Sequence, residues 1–96
     1  MKLLSVKPST KSDKKYMATF QNENGRTKVT HFGQATADDY TKTHDKAQRE
    51  RYRTRHKKDL ETGDATKAGF LSYYLLWGES TSLQTNLAAY KKRFNL

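Results

Sequence analysis

The chain has no cysteine, which excludes a disulfide framework, a thiolate nucleophile and any zinc site built on sulfur. Apolar residues are scarce as well. They make up 33% of 96 residues, so a single core has little apolar area with which to offset chain entropy. Long hydrophobic runs are missing: Leu3-Leu4 is too short for a signal peptide, and Phe70 to Trp77 is interrupted by Ser72 and falls far short of a membrane span. The expectation is a protein without a transmembrane segment that works inside a cell or is packaged in a larger particle. No phosphate-cradling glycine loop or Ser-His-Asp signature is present, and His31, His44 and His56 are too widely spaced for a zinc site. Asp38, Asp39 and Asp45 stand at expected helix starts, where capping explains them. The reading is therefore non-enzymatic, with no catalytic residue, metal, cofactor or small-molecule substrate expected.

Positive charge is abundant. Nineteen Lys and Arg against ten Asp and Glu leave a formal charge of +9, and two segments hold it. Residues 1–28 carry seven basic and two acidic groups, and residues 42–58 carry eight basic groups against Asp45 and Glu50. Residues 29–41 hold only Asp38 and Asp39, and residues 59–96 balance. A field of this kind favours polyanions, although the same charge would also serve solubility.

Residues 1–13 mix basic, polar and turn-forming types without a period, and are expected to be a flexible basic arm ahead of one domain spanning 14–96. Tyr16, Ala18 and Phe20 then alternate with Met17 and Thr19, the period of a strand with one buried face. A second β-rich run covers Thr27 to Phe32. Between the two, the Asn24-Gly25 pair suits the positive φ angles of a tight hairpin turn. Thr36 with Asp39 suggests a short helical turn over residues 37–41. A longer helix is predicted from Asp45 to Leu60, with acid at its start, Lys57-Lys58 toward its end and Gly63 beyond. Asp64 is expected to cap the next helix, which is apolar on nearly every side through Trp77 and so belongs in the centre of the fold. Thr81 with Gln84 forms a second capping signal, before a last helix carrying Leu83, Leu87, Tyr90 and Phe94 at helical spacing. The fold class is α+β: a small antiparallel hairpin, or a sheet with one further edge strand, packed against about three helices.

The basic helix carries the sharpest functional signal. Wound at 3.6 residues per turn, Arg49, Arg53 and Lys57 form one line, and Arg51, Arg55 and Lys58 approximate another. Gln48, Tyr52, His56 and Leu60 recur between them as a seam for resting on the body, which leaves both charged stripes outside. Guanidinium groups suit phosphate oxygens, so such a helix can follow a nucleic-acid backbone without reading bases. Arg26 and Lys28 on the hairpin extend the candidate surface. Tyr16 and Phe20 could stack on bases, but in a chain so poor in aliphatic residues they read as core, as does the cluster Phe70, Tyr73, Tyr74 and Trp77.

Several of these motifs occur together elsewhere. His31-Phe32-Gly33, Asp39-Tyr40-Thr41, Glu50-Arg51-Tyr52 with Arg55-His56, Ala68-Gly69-Phe70-Leu71-Ser72 and Leu76-Trp77 resemble, in this order, a family of small uncharacterised basic proteins found in large DNA viruses and aquatic phages. The resemblance runs from about Lys14 to Phe94. That family carries a second glycine soon after the Phe-Gly pair, where this chain has Gln34 to Ala37, a departure that bears on the connecting loop. The resemblance implies a virion or the interior of an infected host cell as the setting. Two roles follow from it. One is binding nucleic acid through phosphate contacts. The other is that of a minor capsid or cement protein, whose charge meets an acidic viral structural protein.

Overall fold

Three antiparallel strands, β1 (Lys2–Pro8), β2 (Lys14–Gln21) and β3 (Thr27–Gln34), form one sheet in the order β1-β2-β3, in a computed structural model that describes residues 1–96. Helices follow: α1 (Tyr40–Thr43), α2 (Lys46–His56) with a 3-10 continuation (Lys57–Thr62), α3 (Ala68–Leu71) running on through a π turn (Ser72–Leu76), and α4 (Leu83–Arg93). The fold is α+β.

Residues 2–8 correct the expectation of a flexible arm, because they pair with β2 from Lys2 opposite Gln21 to Pro8 opposite Tyr16. A bulge between Leu3 and Ser5 explains why the strand is hard to see in the sequence. The extra residue breaks the period of two: Leu3 is 3% exposed while Leu4 is 50% exposed, and Val6 then returns to the core opposite Ala18. The link to β2 is fastened by Ser9, whose amide donates to the Lys15 carbonyl and whose hydroxyl meets His31 Nδ1 at 2.7 Å.

The β2–β3 hairpin forms as expected, but its turn is longer than a two-residue type. Only Gly25 takes a positive φ, +79°. Its amide donates to the Asn22 carbonyl, while the Asn22 side chain accepts from the amides of Asn24 and Arg26. This is the three-residue loop closed by a left-handed glycine. Along β2 the even positions Tyr16, Ala18 and Phe20 turn to the core, joined by Leu3, Val6 and Phe32 from the neighbouring strands. Fully burying a phenylalanine such as Phe20 stabilises by about 1.5–3 kcal/mol. The opposite face of the sheet carries no helix, and Val29 there is 48% exposed.

On the covered face, α3 delivers Phe70, Leu71, Leu75, Leu76 and Trp77 to the core, with Tyr90 from α4 and Tyr40 from α1. Tyr74, Tyr90, Phe70 and Phe94 meet in tilted and edge-to-face pairs, so the aromatic cluster is core, and Tyr16 and Phe20 are core with it. Asn86 ties α4 to α3: its side-chain amide donates to the Leu75 and Ser80 carbonyls and its oxygen accepts from the Ser80 amide. Gly78 lies in the crowded space beneath, where a Cβ would come within 2.2 Å of the Tyr74 carbonyl oxygen.

Three helix starts differ from those predicted. Thr36 caps nothing; α1 begins after Asp39, whose carboxylate is taken by Lys15 and the Thr41 hydroxyl. Asp64 does not cap α3, because its Oδ1 accepts from both the amide and the hydroxyl of Thr66, a local turn that defers the helix until after Lys67. Those two bonds hold the Asp64 carboxyl below its ordinary pKa. For α4 the cap is Ser82, whose hydroxyl accepts from the Thr85 amide, rather than Thr81. The bonds of Asn86 to Ser80 set the path of the loop, and with it which hydroxyl reaches the first turn.

Candidate nucleic-acid interface

Local sequence makes α2 a helix and tertiary contacts decide how it is turned. Asp45 caps it, accepting from the Gln48 amide at 3.1 Å. From its seam, Tyr52 stacks on Trp77 with ring centroids 4.3 Å apart and planes within 9°, and His56 stacks on Tyr52 at 4.1 Å. Burial lifts the Tyr52 phenol from 10.0 to about 12, with the Asp59 carboxylate adding to the rise while Arg55 and a hydrogen bond with Ser72 oppose it.

The expectation that both arginine stripes face outward holds for only one of them. Arg49 donates from Nε to the Gly78 carbonyl at 2.6 Å, pairs with Glu50 and lies over the Tyr40 ring; its side chain is 12% exposed. Arg53 donates to the Trp77 carbonyl at 2.9 Å, and its guanidinium sits 4.3 Å from the centre of the Tyr73 ring. The physical reason is that α3 ends at Trp77 and Gly78, where carbonyls without helical partners need donors. A planar guanidinium supplies such donors while its face covers an aromatic ring. This row holds α2 to the core.

Arg51 and Arg55 meet the outward expectation. Both are exposed, and neither makes an ion pair within the chain. Lys57 and Lys58 are also exposed, on the 3-10 continuation. Arg51 and Arg55 line one wall of a cleft of about 630 Å³ between α2 and the end of the sheet, faced by Lys14, Gly33 and Gln34. Its inner side is built from Phe32, Leu76, Trp77 and Ser72. Lys15 reaches the cleft too, but its ammonium is bound to Asp39, which is 3% exposed. His56 lines the cleft with its Nδ1 held 3.0 Å from Asp59 Oδ2.

The two hairpin cations do not join this surface. Arg26 sits at the turn and Lys28 beside it, where the Lys28 ammonium donates to the Thr66 hydroxyl at 2.8 Å. The register puts Gln21 and Thr27 at that end of the hairpin and Lys14 and Gln34 at the cleft end, about 20 Å away at the usual rise per strand residue. Sequence reading, conversely, assigns Lys14 to the general N-terminal charge and misses its place in the cleft. The available signal is its phase: two residues before Tyr16, Lys14 continues the alternation of Tyr16, Ala18 and Phe20 and so opens the paired strand.

Residues 4–56 match the model of a family of unknown function (DUF5754). That is more than half of the chain, and the chain belongs to this family. The matched stretch takes in most of β1 and stops at the last residue of α2. No curated protein and no solved structure matches the chain.

Proposed function

We propose that this member of the family binds nucleic acid through its phosphates, as a non-enzymatic, virus-associated protein. The reading is carried by one observation: Arg51 and Arg55 are unpaired on the outer side of α2, face Lys14 across the cleft and continue into the exposed Lys57 and Lys58. The cleft gathers Arg51, Arg55 and Lys14 around two carboxylates, Asp59 engaged by His56 and Asp38 beside Lys42, and Lys57 and Lys58 are exposed on the following turn; this excess of cations suits a polyanion whose charges are spaced along a line. The resemblance of the motifs to small basic viral proteins supports a virion setting. Neutralising about four to five phosphates makes log affinity for a duplex fall with log salt at a slope of about −4. Titrations of duplex and single-stranded DNA over a series of salt concentrations test this, and a flat response with both removes the proposal.

A second reading, a minor capsid or cement protein, draws support from a different surface. The sheet face that carries no helix exposes about half of Val29, and Leu4 at the bulge is equally exposed; such residues suit a neighbouring protein. Fractionating particles separates the two roles. Recovery with the genome favours the first, and recovery with the emptied shell favours the second.

A further inference from the structure

We infer that the cleft beside α2 is a pocket for one unpaired nucleobase, stacked on the outer face of His56 while its flanking phosphates meet Arg51, Arg55 and Lys14. This rests on the phosphate-binding reading and makes it specific: single strands are preferred to duplex. The geometry begins with Tyr52, which has Trp77 at 4.3 Å and His56 at 4.1 Å. Two rings stacked that closely on one face of a third would overlap, so they occupy opposite faces. The ladder therefore runs Trp77, Tyr52, His56, and its last ring has one face against Tyr52 and no aromatic neighbour on the other.

That terminal ring is placed for a ligand. It lines the cleft, its side chain is 35% exposed, and the bond from Nδ1 to Asp59 restrains it from turning. A rigid ring extending a π stack is a stacking platform, and every base has a face to offer it. The cavity, about 630 Å³, falls in the range of roughly 300–1,000 Å³ common for small-ligand sites, whereas phosphates alone need only a convex charged face. Gln34 lies on its lining as a hydrogen-bonding partner for a base edge, beside Gln48, whose oxygen accepts from Thr43, and Ser72, which is bonded to Tyr52. In a duplex each base is already stacked on both faces and is therefore denied to His56. A free nucleotide shares the chemistry of a nucleotide within a strand, so both are tested.

Three probes of equal length decide the matter: an oligothymidylate, the same backbone made abasic, and a duplex, with thymidine monophosphate as the free nucleotide. Trp77, the chain's one tryptophan, reports occupancy of the cleft through its fluorescence. The unsubstituted protein should bind the base-bearing strand about ten-fold more tightly than the abasic one, the expected worth of one stacked base. Binding of thymidine monophosphate with the same fluorescence change assigns the pocket to a single nucleotide. A change seen only with the strand keeps the base pocket and assigns it to polymer. His56→Ala should abolish the preference, and His56→Phe, which releases Asp59 equally but keeps a ring, should retain it. Equal affinity for base-bearing and abasic strands, with binding preserved, overturns the pocket and leaves the phosphate reading standing. No binding of any strand overturns both.

Discussion

Arg49 and Arg53 stand one turn apart on α2, and so do Arg51 and Arg55, in a helix whose local sequence hardly distinguishes the pairs. The first pair lies against the end of α3, donating to the Gly78 and Trp77 carbonyls and covering the Tyr40 and Tyr73 rings. The second pair is exposed and makes no ion pair in the chain. The difference teaches that an arginine row is not a binding surface merely because it is charged. Guanidinium groups go wherever acceptors and ring faces are displayed, and a helix C-terminus flanked by tyrosine and tryptophan is such a place. Only the row left without internal acceptors is free for an external anion.

The sharpest way to break this comparison is to remove one member of each row and measure unfolding by denaturant. Arg53→Ala deletes a charged hydrogen bond to a carbonyl and a cation–π contact, and should cost about 2–3 kcal/mol. Arg49→Ala should cost somewhat less, about 1–2 kcal/mol. If either substitution is silent, the anchoring role assigned to this row is wrong.

A smaller effect tests how far the outer row reaches inward. The folded pKa of Tyr52 lies above its unfolded value, so its contribution to stability is complete below pH 10.0 and is lost as the pH rises toward about 12. Because Arg55 opposes that rise, Arg55→Ala should push the phenol still higher, while Arg49→Ala should leave it in place. Tyrosinate absorbance against pH, with Tyr52→Phe to assign the signal among six tyrosines, checks both. A fall after Arg55→Ala would contradict the arrangement.

The smallest effect on stability belongs to the double variant of Arg51→Ala and Arg55→Ala, expected within about 0.5 kcal/mol of the unsubstituted protein. Its salt slope for nucleic acid should shrink by about two, one for each lost phosphate contact. Marked destabilisation with an unchanged slope would exchange the roles of the two rows.

Much of the architecture is legible in the sequence. The alternation of Tyr16, Ala18 and Phe20 reads directly as β2, the run from Phe70 to Trp77 as a buried helix, and the composition around Arg49 to Arg55 as a helix with Tyr52 and His56 on its seam. What escapes is traceable to particular residues. The bulge at Leu3 and Ser5 hides β1 by breaking the period. Thr66 competes for the Asp64 carboxylate and cancels the expected cap. Asp39, which stands at a helix start, gives its carboxylate to Lys15 instead, 24 residues away in sequence. Lys14 joins Arg51 and Arg55 only because strand pairing brings the start of β2 to the side of α2.

By itself the sequence determined where the charge is concentrated, which segments become strand and helix, and which side chains are apolar enough to be buried, because these follow from propensity and periodicity within a few residues. Which arginines remain free, whether the first residues pair, and that a cleft opens beside His56 were decided by tertiary structure alone. Each depends on carbonyls, rings or strand edges supplied by segments distant along the chain, and such acceptors have no position until the chain has folded.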